Sequence, residues 1–549
     1  MSDSTPQQVK GVDRRQFLRR LATGAGGAIL AAHASPIVRA LAASPGLTAA
    51  ASPVQPTVKR GGSLVMTSPP VDRLDPHVTA LNISVEFGCL FDSLLYLELN
   101  EQTMKTQLVG ALAESWEYSK DAKSVVFKLR KGVQFHDGSD WNADAAVWNI
   151  TRMKDDPKSG SKDLFTDVVE VKSLDAYSFR VTFSAPNVVF PVTMSEGGSR
   201  GRTRMISKAA FEKLGADAFA QNPSGSGAYK LTTWKKDDRM ILDHFPGYWQ
   251  KGDDGKQLPY LDQMVVRELS DTPTAIAEMK AGTIQWIFNQ LSYSDAASLG
   301  QDPALNVYSY KEGADYFMVG CNGRDGPFAA HTELRQAVAY AINRDEVVKA
   351  LSPGGAPASQ FIEPGFMGYD ARLVYTYDPE KAKSLMAKAG YASGLDVQML
   401  TWNRQAWIAR AEVYQQQLAR VGMRCHISAL EGLAWMSTTR SNRNYDLALW
   451  GEEDRADPDG LSRFMTTGGQ GNWMNFDLPG IDKLFREGRG ALDPTKRADY
   501  YKRAADLFFE SAYVIPIYKE NSPYVRRKEM HWQKRQYIYP SITTWWLSS

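Results

Sequence analysis

Three stretches of this chain hold side chains of the kinds that do chemistry. Gly197-Gly198-Ser199-Arg200-Gly201 matches Gly-x-Ser-x-Gly, the sharp turn that lifts a hydrolase serine out of its strand. That mechanism needs a strand before the serine, a helix after it, and an acid and a histidine further along the same α/β unit. Here the match precedes the α/β pattern, and no histidine has an evident place. Asp454, Asp457, Asp459 and Gly460 come near a calcium loop, but the frame puts Arg455 at the first ligand position and Pro458 inside it. Thr466 stands where the bidentate glutamate belongs. The third stretch is split between Trp402-Asn403-Arg404 and Gly451-Glu452-Glu453-Asp454-Arg455-Ala456-Asp457. Indole, amide, guanidinium and carboxylate groups capture a polar solute by stacking and charge-assisted hydrogen bonds, with no bond made or broken.

The elements around this third set explain why its parts should meet. Val397 to Trp402 reads as a strand. Ile408, Ala411, Tyr414, Leu418 and Val421 then recur at helical spacing until Gly422. Met423, Cys425, Ile427 and Ala429 alternate as a second strand, and Tyr445 to Trp450 forms a third. Strand, helix, strand, helix, strand is the rhythm of a parallel sheet, whose ligands bind beyond the carboxyl ends of its strands. Trp402, Asn403 and Arg404 lie beyond the first strand, Glu431 beyond the second and Gly451 to Asp459 beyond the third. Upstream, Thr332 is expected to cap one helix with the apolar face Leu334, Val338, Ala341, Ile342 and Leu351. Residues 106–219 alternate instead with a period of two, as at Val125, Phe127 and Leu129 and again at Tyr177, Phe179, Val181 and Phe183. That region is a hairpin-rich subdomain.

The N-terminus supplies an address. Arg14-Arg15-Gln16-Phe17-Leu18, the Ala/Gly-rich apolar run Leu21 to Val38 and the small residues of Ala40-Leu41-Ala42 have the layout of a secretory signal of the twin-arginine type over residues 1–42. Residues 43–58 read as a flexible leader. The signal holds six basic and two acidic groups, so its removal turns the net charge of +2 into −2. The remainder, about 500 residues, has the size of two large lobes. Nothing in that charge asks for nucleic acid or an anionic membrane. Cys89, Cys321 and Cys425 allow at most one disulfide, and no cysteine follows the apolar run to take a lipid. With no Cys-x-x-Cys, no paired histidines and no phosphate loop, no cofactor or metal is expected, and His136, in the turn Phe135-His136-Asp137-Gly138, is expected to be structural.

Several segments together carry a resemblance. Leu112-Ala113-Glu114-Ser115-Trp116-Glu117 is followed by Phe127-Lys128-Leu129-Arg130-Lys131-Gly132-Val133 and Phe135-His136-Asp137-Gly138. Gly225-Ser226-Gly227-Ala228-Tyr229, Tyr248-Trp249 and Pro259-Tyr260-Leu261-Asp262 come next. Arg335-Gln336-Ala337-Val338-Ala339-Tyr340-Ala341-Ile342-Asn343-Arg344 and Tyr377-Asp378-Pro379-Glu380-Lys381-Ala382 complete the order. From about residue 60 to 530 the chain resembles the family-5 (peptide and nickel type, cluster C) periplasmic solute-binding proteins of ABC importers. Ser226 and Ala228, Gln285 and Asn343 depart from the family pattern without disturbing its order.

The resemblance implies a two-lobed α/β fold of the type II periplasmic-binding kind, with an extra β-rich subdomain (106–219) on the first lobe and crossing hinge strands. Its expected divisions are 59–318 for the first lobe, 319–514 for the second and 515–549 for the return segment, with crossings near Phe317-Met318-Val319 and Val514-Ile515-Pro516-Ile517. It implies a non-catalytic monomer that captures a peptide or peptide-like solute and delivers it to permease subunits of the inner membrane. Oligosaccharides, opines and metal chelates are the other solutes of such proteins, and an exported serine or carboxylate hydrolase or a sensor for a membrane receptor are the readings from other classes. Counting three residues back from Asp457-Pro458 assigns Asp454 to a ligand's α-amino group. Trp402 and Trp450 are expected to pack on the ligand, and Arg404 or Arg455 to pair with an anionic group. Asn403, Glu453 and Asp457 are expected beside them, and Asp75 and His77 are expected from the opposing lobe.

Overall fold

The computed structural model describes residues 57–78, 85–100, 105–288, 291–309, 315–362, 364, 366–442, 444–453, 457–469, 471–533 and 541–548. The expected export signal, most of the expected leader and Asp454 lie outside the described residues. No helix among those described is long and apolar enough to cross a membrane.

Two sheets organise the lobes. The first lobe holds a seven-stranded sheet in the order 305–309, 523–527, 286–287, 63–68, 263–268, 239–244 and 229–235. Its core gathers Leu64, Met66, Met264, Val266 and Trp286, the inward side chains that strand alternation selects. The second lobe holds six strands in the order 356–357, 514–519, 315–321, 447–453, 395–402 and 423–430. Leu395–Trp402 runs parallel to Met423–Leu430 on one side and to Leu447–Glu453 on the other, as the strand-helix rhythm requires. Between them, Gln405–Ala419 is the helix whose buried face includes Ala411, Tyr414 and Leu418.

The chain passes between the lobes twice, and the strands that flank the two passages pair with each other in both lobes. Leu305–Ser309 pairs antiparallel with Pro523–Arg527 in the first lobe, and the outbound strand Asp315–Cys321 pairs antiparallel with the return strand Val514–Lys519 in the second. The strands expected to be the crossings are therefore members of the second sheet. The passages fall between Ser309 and Asp315 and between Lys519 and Pro523, a few residues outside the expected divisions. Buried Arg410 ties this junction. Its Nε donates to the Tyr518 hydroxyl at 2.7 Å, its Nη2 meets Glu520 at 2.9 Å, and its guanidinium lies 3.7 Å from the Phe317 ring centre.

The β-rich subdomain is a four-stranded sheet, Ala113–Tyr118, Ser124–Leu129, Ser178–Phe183 and Val168–Asp175, covered by the helix Ala143–Asp155. Asn142 caps that helix by accepting from Ala145 N at 3.0 Å. Two of the sequence motifs weld the subdomain to the first lobe. Nε2 of buried His136 bonds Gly227 O at 2.9 Å and its Nδ1 accepts from Gly225 N at 3.3 Å; burial pushes its pKa down to about 4, so the ring is neutral. A Cβ on Gly225 or Gly227 would stand 2.0 Å from Leu90 O or 2.3 Å from Cys89 O, so only glycine admits this approach. Fully buried Asp92 accepts from Tyr96 (2.6 Å), Trp249 (3.0 Å), Ser226 (3.1 Å) and Tyr248 (3.3 Å).

One expectation fails locally. The stretch 332–351 is two helices, Thr332–Ala341 and Arg344–Leu351, because Asn343 turns the chain and caps the second through Glu346 N at 3.1 Å. The break buries Arg344, whose guanidinium reaches Ala358 O at 2.7 Å, Pro516 O at 3.1 Å and Ala339 O at 3.0 Å. Cys89, Cys321 and Cys425 are free and buried.

Asp92 makes a testable contribution to stability. Burial pushes its carboxyl up to about 6 in spite of its four donors. The folded state therefore holds this proton more tightly than the unfolded chain does. The stabilisation is complete below the ordinary carboxylate range and is lost as pH rises through about 6. Urea unfolding of the wild type, measured against Asp92→Asn, is expected to lose about 3 kcal/mol of relative stability between pH 3.5 and 7.5.

Candidate functional site

The second sheet presents one edge to the first lobe. The outbound strand starts there at Asp315, the return strand ends there at Lys519, and Leu447–Glu453, antiparallel to the outbound strand, ends there with Glu453 opposite Asp315. Leu395–Trp402 runs parallel to Leu447–Glu453, so Trp402 emerges on the same edge. The carboxyl ends of the parallel strands thus face the gap between the lobes, where an open α/β sheet binds its ligands.

Trp402, Asn403 and Arg404 occupy that edge as expected. The Trp402 ring stacks on Trp407, with centroids 5.3 Å apart and planes at 22°, and the exposed Arg404 guanidinium lies 5.4 Å from the Trp402 ring centre. Exposed Asn403 donates from Nδ2 to Glu431 Oε1 at 2.8 Å, so the ends of two neighbouring strands are cross-linked. Leu433, just past the second strand end, is 84% exposed, a large apolar side chain on the same rim. Beside the hinge, the half-buried Asp315 carboxyl is pushed up to about 6, chiefly by burial. Glu520 and Glu452 add to the shift, while Arg200 from the first lobe and Arg410 oppose it.

Other expected site residues are placed differently. Trp450 is only 3% exposed and belongs to the second lobe's core with Met318 and Met474, because its strand is covered on both faces. Asp457 accepts from Arg497 at 2.7 Å and caps the following turn through Asp459 N at 2.9 Å, so it shapes the loop from within. Asp459 is bound by Arg489 at 2.8 Å and by the Tyr501 hydroxyl at 3.0 Å, so these carboxylates are matched by arginines rather than arranged around a cation. Asp75 and His77 are buried inside the first lobe. Arg152 donates to both Asp75 oxygens (3.0 and 2.6 Å) and to His77 Nδ1 (2.8 Å), while His77 Nε2 bonds Arg204 O at 2.8 Å. Burial pushes His77 down to about 4. This set braces the first lobe and is not the expected cleft wall. Ser199 is also buried, its hydroxyl on Ser195 O at 2.9 Å and on Thr203 Oγ1 at 2.8 Å, which leaves it no role as an exposed nucleophile.

Linear reading passed over a second contact between the lobes. Val188 N of the subdomain donates to Arg489 O of the second lobe at 2.8 Å, and the Tyr118 hydroxyl holds Val188 O at 2.5 Å. Next to it lies a polar cavity of about 340 Å³, walled by Asp163, Asn187 and Arg202 from the first lobe and by Asp459, Arg463 and Arg489 from the second. The glycine of Arg489-Gly490 was the available signal, since a Cβ on Gly490 would stand 2.9 Å from Pro186 Cβ. Gly490→Val is expected to wedge this contact apart. Small-angle scattering should show a larger radius of gyration with an unchanged circular dichroism spectrum, and an unchanged radius would count against the contact as a closing surface.

Comparison with known proteins gives a consistent answer. The family described as bacterial extracellular solute-binding proteins, family 5, middle, matches residues 107–474. The glutathione-binding protein GsiB of Escherichia coli (strain K12) is 27% identical over 440 residues, covering 75% of this chain and 81% of that protein. Among solved structures, the periplasmic binding protein DppA from Helicobacter pylori in complex with the peptide STSA superposes with a TM-score of 0.73 at 22% identity, over 89% of this chain and 99% of that one. AgaA from A. tumefacien R10, in complex with agropinic acid, gives 0.71 at 23% identity, over 89% and 99% of the two chains. These structures share the two-lobed fold.

Proposed function

Because this chain belongs to family 5 of the bacterial extracellular solute-binding proteins, we propose that it is the substrate-binding component of an ABC importer and captures a small peptide or peptide-like solute between its lobes. The observation that supports this most is the placement of Trp402, Asn403 and Arg404 on the sheet edge that faces the first lobe across paired crossings. A solute touching both lobes stabilises the closed arrangement by contacts the open one lacks, and the side-by-side crossings let the lobes pivot without unfolding either sheet. Asp454 would hold a cationic amine, Arg404 an anionic group and Trp402 an apolar side chain. Asp457, held by Arg497, would position the Asp454 loop. The GsiB and DppA relatives, one named for glutathione and the other holding a peptide, favour a peptide-like solute over a sugar.

The address belongs to the same reading. Arg14 and Arg15 would send the folded chain through the twin-arginine pathway to the periplasm, unlipidated and monomeric, to meet its permease there. Replacing both with lysine is expected to leave the full-length precursor in the cytoplasm, as read by immunoblots of cell fractions.

Native mass spectrometry of the exported protein, with thermal-shift measurements against peptides, opines, sugars and chelates, tests the solute class. A peptide is expected to raise the melting temperature by several degrees with no turnover. Asp454→Ala should weaken that peptide's binding about 100-fold, the loss of a charge-assisted pair, and unchanged affinity would remove Asp454 from the site. Ser199→Ala should leave binding intact.

A further inference from the structure

The contact between the subdomain and the second lobe is tied to the turn that follows Asp454. Asp457 caps the turn Pro458–Leu461, and Asp459 lies within it. An arginine from a neighbouring helix holds each carboxylate. Arg497 Nη2 meets Asp457 Oδ1 at 2.7 Å, and Arg489 Nε and Nη2 meet Asp459 Oδ2 at 3.0 and 2.8 Å. Tyr501 joins the two pairs, its hydroxyl accepting from Arg497 Nη2 at 3.3 Å and donating to Asp459 Oδ1 at 3.0 Å. Arg497 Nε also donates to Gly488 O at 3.3 Å, next to Arg489 in the chain. The turn and the facing ends of the helices Ile481–Gly490 and Pro494–Ser511 are thus one hydrogen-bonded network.

The same network faces the other lobe. Val188 N of the subdomain donates to Arg489 O at 2.8 Å. Asp459 first, and Asp167 of the subdomain after it, raise the Arg489 pKa in spite of burial. Asp167 stands just before the strand Val168–Asp175, and Asn187 Nδ2 fixes it by donating to Oδ2 at 2.7 Å. Tyr118, which holds Val188 O, has its pKa raised chiefly by burial, with Arg497 opposing and Asp457 adding from across the contact. The polar cavity of about 340 Å³ lies among these groups, with Asp167 and Asn187 on one wall and Asp459 and Arg489 on the other. Parting the lobes lets water into this space, where it screens the charge pairs, and takes Asp167 and Val188 away from Arg489.

From this arrangement we propose that Arg489 is a positioning residue for solute capture: it carries the subdomain contact to the turn beside Asp454, so that the turn is firmly held only when the lobes meet. The element with two states is the contact itself, made or broken, and it biases the turn through the Asp459 pair. Coupling of this kind is reciprocal, so a solute that orders the turn favours the contact by the same factor. The subdomain, whose sheet lies far from Asp454 in the sequence, thereby helps to set how tightly a solute is kept. This inference rests on the solute-binding reading above and adds the route by which closure reaches the binding loop.

Amide hydrogen exchange of the full-length chain, with no solute added, tests it. The reporters are the Asp459 and Gly460 amides, bound within the turn to Asp457 Oδ1 at 2.9 Å and to Asp457 O at 3.0 Å. Asp167→Asn keeps an acceptor for Asn187 and removes only the charge. It is expected to raise exchange at these two amides about 5-fold, the size of a partly screened charge pair, with exchange in the strand Met423–Leu430 of the same lobe unchanged. Asp163→Asn is the control. Asp163 walls the same cavity but pairs with Arg202 of its own lobe at 2.9 Å, so its loss should leave the turn as it was. In an Arg489→Gln background, Asp167→Asn should add less than about 2-fold, because the residue that carries the effect is gone. Unchanged exchange in Asp167→Asn, an equal rise in Asp163→Asn, or the full effect in the Arg489→Gln background overturns the inference. No solute is present in any arm, so each of these results leaves the solute-binding reading to its own melting-temperature test.

Discussion

The pairing of the strands on either side of the two passages between the lobes constrains everything else in this molecule. Leu305–Ser309 and Pro523–Arg527 are neighbours in one sheet, and their continuations, Asp315–Cys321 and Val514–Lys519, are neighbours in the other. A paired crossing can bend as one ribbon while each sheet keeps its own hydrogen bonds. It also orients the second lobe. Once the outbound strand starts at the gap, its antiparallel partner Leu447–Glu453 must end there, and the parallel strand beside that must end there too. Trp402 and Arg404 reach the cleft as a consequence of strand direction. Arg410 and Arg344, from two different helices, both anchor on the return strand or its exit, so the ribbon is held from the second-lobe side.

The treatment of charge separates structure from site. Arg152 holds Asp75, Arg497 holds Asp457 and Arg489 holds Asp459, each at hydrogen-bonding distance and each inside a lobe or its loops. A buried charge left unpaired is costly, so these partnerships decide whether the regions fold at all. At the sheet edge the charges lie nearer to solvent. Exposed Arg404 lies against the Trp402 ring, and Asp315 is half-buried, its carboxyl raised chiefly by burial, with Glu520 and Glu452 raising it further and Arg200 of the other lobe opposing them.

Much of the second lobe was legible because its signals are local. Alternation at Met423, Cys425 and Ile427, the helical spacing from Ile408 to Val421 and the terminating Gly422 each depend on residues within a turn or two, and the strands and helix formed where they pointed. His136 was also read correctly as a structural histidine, since a turn after a strand is a local feature. The errors share a cause. Asp75 and His77 look available in the linear chain because Arg152 is far along it, and Trp450 looks like a strand-end aromatic because nothing local shows that its sheet is covered on both faces. The break at Asn343 escaped because the apolar spacing on either side of it stays helical. What ends the helix is burial of Arg344 against carbonyls of residues that arrive much later.

The sequence by itself determined the alternation of strands and helices and the order of motifs that places this chain in its family. Those features are written in neighbouring residues, and the backbone reads them at short range. Only the tertiary structure decided which charged and aromatic side chains are tied up inside a lobe and which stay at the edge between the lobes. A carboxylate or an indole becomes structural or functional according to whether a partner from a distant segment reaches it. Asp75 met Arg152 and became a brace. Trp402, at the end of a strand that faces the gap, met a stack of indoles and an exposed guanidinium, and stayed at the edge where a solute can reach it.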